Sequence, residues 1–168
     1  WAEESTLCKF IFLLNNDTKL DKCTIGSLRS AVNADASYAV SVPKILFMDA
    51  PNTIWYSGGE IDWKFGRGIV PGQGLDANSY EANTSKRVGF ASGCAMFFKA
   101  QVLKDLGGFD SRYFMYHEDV ELSLRVKEMG YSIIYEPKAI VHHKVQGSLK
   151  KKDEKYISGW SPKNPNLS

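Results

Sequence analysis

Apolar residues along this chain fall in short runs divided by polar turns, and the spacing of those runs predicts its elements. Lys9 to Leu14 is almost continuously apolar (Phe10, Ile11, Phe12, Leu13, Leu14). That length predicts a strand buried on both faces, stopped by the turn-forming run Asn15-Asn16-Asp17-Thr18. From Asp21 to Asn33, Cys23, Ile25, Leu28 and Val32 lie near helical spacing, with Asp21 placed as a cap. Ala39 to Leu46 predicts a second strand, and Pro43 assigns it to a strand end or an edge. Val88 to Lys99 is strand-like with an interruption at Gly93, and Gln101 to Leu106 is a short helix ended by Gly107-Gly108. Glu118 to Met129 predicts an amphipathic helix, its apolar positions Val120, Leu122, Leu124, Val126 and Met129 followed by Gly130 at the C-cap. Ile133 to Tyr135 and Ala139 to Val141 read as two strands either side of Pro137. The alternation predicts an α/β domain with a mostly parallel sheet.

Between Asp49 and Lys86 the pattern changes. The segment is rich in Gly, Asn, Asp and Pro, carries Trp55 and Trp63, and shows only short strand-like pieces such as Ile54 to Tyr56. A long irregular stretch with aromatic content predicts a functional loop or lid.

Composition narrows the class without naming it. The chain has 168 residues, 43% hydrophobic and 24% charged, the balance of one globular domain. A net charge of +2 gives no reason to expect nucleic acid as a partner. The three cysteines, Cys8, Cys23 and Cys94, are scattered and odd in number, against a disulfide framework or thiolate zinc site and for a reducing, cytoplasmic setting. No apolar run approaches the ~20 residues of a membrane span, and no signal-peptide pattern opens the chain. Trp1 comes first and the first strand follows almost at once, so a piece of something longer is expected. The segment from Leu149 to Ser168 begins with Lys150, Lys151 and Lys152 and continues with Tyr156 and Trp160. Such a run is ordinarily a solvated turn, and its other reading is a contact with a membrane surface or partner.

Three constellations offer chemistry. Asn15-Asn16-Asp17 follows a strand, where α/β sheets gather ligands, and one carboxylate with amide oxygens suits Mg²⁺ or Mn²⁺ shared with phosphate. The competing reading is a strand-ending Asx turn. Glu118-Asp119 opens a helix, where acidic residues serve the macrodipole or, alternatively, supply a general base. His142-His143 follows a strand, and neighbours there face opposite sides, so at most one of them enters a common site. No Walker sequence, no Gly-x-Gly-x-x-Gly and no Gly-x-Ser-x-Gly is present.

Taken in order, these pieces resemble family 2 glycosyltransferases of the nucleotide-diphospho-sugar-binding, type A fold. Phe12-Leu13-Leu14-Asn15-Asn16-Asp17-Thr18 resembles the "LLNNDT" form of their Asp-x-Asp motif, and Val42-Pro43-Lys44-Ile45-Leu46 resembles the "GPKIL" strand. Ile54 to Gly59, with Asp62 beyond, is similar to a loop of the rhamnosyltransferase-like branch. Ser92 to Phe98 resembles the "TGCxxLI" strand. Gly107-Gly108-Phe109-Asp110, Tyr113-Phe114 and Glu118 to Arg125 resemble the "GxFDExFFxYxEDxDLxLR" block. Ala139 to Val145, ending near Ser148, resembles "AxVxHKxxxS". The likeness spans about Lys9 to Ser148, so residues 1–148 are expected to be the C-terminal portion of a catalytic domain and 149–168 a basic and aromatic tail.

The resemblance implies roles residue by residue. Asp119 matches the general base and Glu118 its neighbour, which orients the base or the acceptor. Asp17 matches the metal-binding carboxylate, Asn15 the first motif position beside nucleotide or metal-bound water, and His143 the histidine that completes the metal site. Trp55, Gly93 and Asp110 fall on the acceptor side, with Trp55, Tyr56 or Trp63 stacking on a sugar ring unless these rings are core. The implied reaction is inverting transfer, hexosyl or rhamnosyl, from a nucleotide-diphospho-sugar to a hydroxyl of a saccharide or lipid-linked acceptor, in cell-surface polysaccharide or glycoconjugate synthesis. Mg or Mn is the implied cofactor, and attachment to the inner face of the membrane an implied location. Family members carry a strand-helix-strand segment ahead of the Asn-Asn-Asp strand. The chain as given is therefore expected to be inactive alone, with negligible affinity for a nucleotide diphosphate, and either to self-associate through an open sheet edge or to be a poorly soluble monomer. A non-catalytic binding module of the same fold is the alternative, and a nucleotidyltransferase the less favoured third.

Overall fold

A computed structural model describes residues 8–113 and 117–145. Phe114, Ser148 and the tail 149–168 lie outside the described residues. In chain order the elements are β1 (Phe10–Leu14), β2 (Thr18–Leu20), α1 (Thr24–Asn33), β3 (Tyr38–Phe47), β4 (Ala50–Tyr56), β5 (Glu60–Asp62) and β6 (Arg67–Ile69). A 3₁₀ turn (Glu81–Asn83), β7 (Lys86–Val88), β8 (Ala95–Lys99), α2 (Ala100–Asp105), α3 (Glu118–Glu128) and β9 (Ser132–His143) complete it.

The sheet is built around two long parallel strands, β3 and β9, and shorter strands line their outer sides. β8 and then β4 run along β3, β7 and then β2 run along β9, and β1 closes one side on β8. All five of those flanking arrangements are antiparallel, so the sheet is mixed and the expected mostly parallel sheet is corrected. Apolar runs report burial of a strand but not its direction, which hairpins and returns decide. β1 is likewise not buried on both faces: its residues are half-buried, Leu14 is exposed, and it pairs only with β8 among the described residues.

Pro43 lies inside β3, not at its end or edge. The register with β9 shifts between Pro43 and Lys44, where Glu136 pairs with the proline and Ile140 with the lysine. Residues 137–139, including Pro137, are thus unmatched, and the two prolines share one irregularity where missing N–H donors cost least. Consequently the two strands expected around Pro137 are one, β9.

Alternation along β8 sorts the layers. Phe97 packs with Leu28 and Val32 of α1, while Met96 and Phe98 join the main core with Leu122 and Val126 of α3. The sheet is therefore sandwiched, and each fully buried leucine or valine contributes about 1.5–3 kcal/mol. Asp21 does not cap α1; Cys23 occupies the N-cap without a side-chain bond, and Thr24 donates through its hydroxyl to the Ile140 carbonyl at 2.6 Å. The expected loop from Asp49 to Lys86 is also more ordered than its composition suggests. β4 joins the main sheet, β5 and β6 form a separate hairpin, and buried Lys44 donates to Ala77 O (3.1 Å) and Asn83 Oδ1 (2.6 Å), tying residues 77–83 to β3. Among the described residues no helix is long and apolar enough to cross a membrane.

Candidate active site

β1, β3 and β9 point their carboxyl ends to one rim, because β1 and β3 both run antiparallel to β8. At such a rim polar turns are free of ladder duties and can meet a ligand. The turn after β1 places Asp17 there. Thr18 donates through Oγ to Asn15 O at 2.7 Å, Asn15 N–H donates to Cys94 O at 3.0 Å, and Lys144 N–H donates to Asp17 O at 3.0 Å. The Thr18 hydroxyl and backbone groups hold this turn and no side chain of residues 15–17 accepts a bond within it, so the Asx turn is not formed and the Asp17 carboxylate is not spent on the turn.

His143 ends β9 on the same rim, between Thr18 of β2 and Phe47 of β3. Its Nε2 lies 3.2 Å from Asp17 Oδ1, with side-chain exposures of 9% and 10%. The approach is close but poorly angled for a hydrogen bond, and both Asp17 Oδ1 and His143 Nδ1 are buried without a partner. Burial lowers the imidazole's pKa below its ordinary value, a shift only partly opposed by the Asp17 charge. Trp55 meets the His143 ring edge-on, with centroids 4.7 Å apart. His142 turns to the other side and reaches Asp21 Oδ1 at 3.2 Å, as strand alternation requires.

Asp119 enters from α3. Its Oδ2 accepts the Gly93 N–H at 3.0 Å and its Oδ1 accepts the Val120 N–H at 2.8 Å. One helical turn on, fully buried Ser123 donates to Asp119 O at 2.6 Å and accepts the Ala91 N–H at 3.0 Å. These bonds staple residues 91–93 to α3, and the next residue, Cys94, carries the Asn15 contact. Asp17 and Asp119 are thereby set on either side of one short loop. Burial pushes the Cys94 thiol up to about 12, and the nearby Asp17 charge adds to it, so this cysteine stays protonated. Tyr56 is raised above its usual value by burial, with Asp119 contributing, while its hydroxyl donates to Phe90 O at 2.7 Å.

Other expected site residues fall out differently. Glu118 Oε2 is buried without a hydrogen-bond partner, beside Asp119 at the start of α3. Asp110 is engaged by Arg112 through Nε (2.9 Å) and a terminal guanidinium nitrogen (2.6 Å), and these contacts hold its carboxyl near a pKa of about 2. Gly93 has its N–H committed to Asp119, and a Cβ there would meet Asp119 only at ordinary contact, 3.5 Å. Tyr56 is 1% exposed and offers no face to a sugar, so that stacking candidate is excluded. Ser123 and the Ala91 N–H were invisible to periodicity, although a serine on the apolar face of a helix four residues after Asp119 is the signal that points to them. Among the described residues no group of three or more His, Cys, Asp or Glu side chains converges as a complete metal site.

Residues 77–156 match the family model described as glycosyltransferase like family 2. A stretch of 66 residues is 38% identical to N-acetylglucosaminyl-diphospho-decaprenol L-rhamnosyltransferase of Mycobacterium tuberculosis, in strains CDC 1551 / Oshkosh and ATCC 25618 / H37Rv alike. That alignment covers 39% of this chain and 22% of each relative, so the chain matches about a fifth of their length. A crystal structure of GalNAc-T7 with UDP, GalNAc and Mn²⁺ superposes with a TM-score of 0.63 at 15% identity, over 84% of this chain and 28% of that one. At that identity the superposition speaks for the fold alone, which is the type A glycosyltransferase fold. These likenesses do not favour the non-catalytic module. Over residues 77–156 the chain thus matches the glycosyltransferase like family 2 model, it is similar over 66 residues to part of a rhamnosyltransferase, and it is built on the type A glycosyltransferase fold.

Proposed function

We propose that this site transfers a sugar, hexosyl or rhamnosyl, from a nucleotide-diphospho-sugar to a hydroxyl of a saccharide or lipid-linked acceptor, with inversion, in cell-surface polysaccharide or glycoconjugate synthesis. The observation that carries the reading is the loop 91–94, which accepts Asn15 N–H at Cys94 O and donates Gly93 N–H to Asp119, bringing the two carboxylates to one rim. The decaprenol-linked substrate in the relative's name supports a lipid-linked acceptor.

The residues present fit a divalent cation. Asp17 offers a buried oxygen with no hydrogen bond to break, and His143 presents Nε2 beside it as a neutral imidazole, the form that ligates. Two protein ligands leave the remaining positions to diphosphate oxygens and water, the usual sharing for Mg²⁺ or Mn²⁺. Mn²⁺ and UDP accompany the solved structure of the same fold. Such an ion supplies positive charge where the leaving diphosphate becomes more negative. Asn15, exposed at the head of the turn, is positioned to contact the donor.

Asp119 serves as the base. Each of its oxygens already accepts one backbone N–H, which fixes its orientation and leaves about two lone-pair sites for the acceptor hydroxyl. The hydroxyl oxygen forms the new bond to the anomeric carbon as the bond to the diphosphate breaks, and its proton passes to Asp119. The base is weak in the ground state and sufficient when the attacking hydroxyl turns acidic in the transition state. Glu118 and Trp55 stand beside the base and the metal pair respectively, as acceptor-orienting groups.

In the complete gene product, Asp119→Asn is expected to lower turnover by at least about 100-fold with donor binding retained. Asp17→Asn weakens metal-dependent donor binding as well. Near-wild-type turnover of Asp119→Asn at saturating acceptor refutes the assignment of the base.

A further inference from the structure

The β5–β6 hairpin stands apart from the main sheet, paired only within itself as Glu60 with Ile69, Ile61 with Gly68 and Asp62 with Arg67. Its turn holds Trp63, 73% exposed, and Phe65, 64% exposed, the kind of rings a soluble domain ordinarily buries. Lys64 Nζ and Arg67 Cζ each lie 5.3 Å from the centre of the Phe65 ring, so cations flank the aromatics. Residues 63–67 carry two positive charges and no acid, while Glu60 and Asp62 lie further from the tip on β5, Asp62 drawing Arg67 to 3.7 Å.

From this arrangement we infer that the β5–β6 tip is a membrane contact, Trp63 and Phe65 entering the headgroup region of a bilayer and Lys64 and Arg67 meeting anionic lipid. Indole and phenyl rings favour that interface, and basic side chains beside them pair with phosphate groups. With the hairpin's two acids equal to its two bases, the rings supply most of the binding and charge adds to it. The hairpin is docked next to the base. A Cβ at Gly68 would come within 2.9 Å of Val120 Cγ2 and 3.0 Å of the Phe90 ring, and Gly59 O accepts the Gly89 N–H at 2.7 Å. Val120 follows Asp119 directly, so a tip held in the headgroups sets the base at the membrane surface, where a lipid-linked acceptor presents its sugar. That consequence rests on the transferase reading, whereas the membrane contact does not.

The test is co-sedimentation of the complete gene product with vesicles of phosphatidylcholine containing one quarter phosphatidylglycerol, without donor or acceptor. Both rings are exposed, so Trp63→Ala with Phe65→Ala is expected to keep the wild-type circular dichroism and to lose about tenfold or more in partitioning. Brominated phosphatidylcholine should quench wild-type fluorescence more than that of Trp63→Phe. Absence of wild-type binding, or equal binding by the double variant, overturns the inference. So does quenching of Trp63 by free N-acetylglucosamine in place of vesicles, which makes the tip a saccharide platform. Asp119→Asn protein should bind vesicles as wild type does, so failure of the transferase assignment and failure of the membrane contact are read separately.

Discussion

Replacing Ser123 with alanine removes one oxygen and tests the staple on which the site depends. Ser123 is 0% exposed, and its Oγ is the acceptor for the Ala91 N–H at 3.0 Å, itself in a fully buried residue. The donated bond to Asp119 O is the lesser loss, since that carbonyl lies inside a helix. The orphaned Ala91 N–H is the greater one. A buried donor left without an acceptor costs about 1–3 kcal/mol, and the space left by one oxygen is too small for water to repair it. For a chain of this size about 2 kcal/mol corresponds to a fall in Tm of about 4–8 °C. The assay is urea denaturation of Ser123→Ala beside Ser30→Ala, an exposed serine of α1 that should shift stability by no more than about 0.5 kcal/mol. Because residues 91–93 also hold Asp119, turnover in the complete gene product should fall more than donor affinity. A loss below about 0.5 kcal/mol would refute the claim that this hydroxyl bears the contact between loop and helix.

Two further outcomes follow from burial and backbone geometry. The pKa of His143 is lowered in the folded state, so the unfolded chain binds more protons once pH falls below the ordinary histidine value, and this group's contribution to stability declines from there toward acid. Thermal melts between pH 8 and 5 should show a steeper loss for wild type than for His143→Gln, and parallel curves would refute the burial argument. Gly59→Ala drives a Cβ into the Phe90 ring and should cost about 1–3 kcal/mol, whereas Gly26→Ala, inside α1 with nothing within 4 Å, should gain about 0.5–1 kcal/mol by denaturant titration.

Local chemistry by itself determined a good deal of this protein. The run Phe10–Leu14 and its polar stop, the glycines after α2 and α3, and the acidic start of α3 are short-range signals, and each element lies where its residues dictate. The alternation rule alone split His142 from His143. Strand direction was not legible, because an apolar run buries equally well beside a parallel or an antiparallel neighbour. Pro43 and Pro137 misled for a related reason: each bars a ladder bond, and only their mutual placement across β3 and β9 shows one irregularity absorbing both. The helix face was legible at its centre, where Leu122 and Val126 are buried, but not at its margins, where Ser123 is buried and Met129 exposed, because the margins depend on what α3 packs against. The approach of Asp17 to His143 and the link from Asp119 to Asn15 through residues 93 and 94 join points up to 126 positions apart in sequence. Such contacts arise only when the β3–β9 pair draws the ends of distant strands to one rim, and no local pattern of residues encodes that distance.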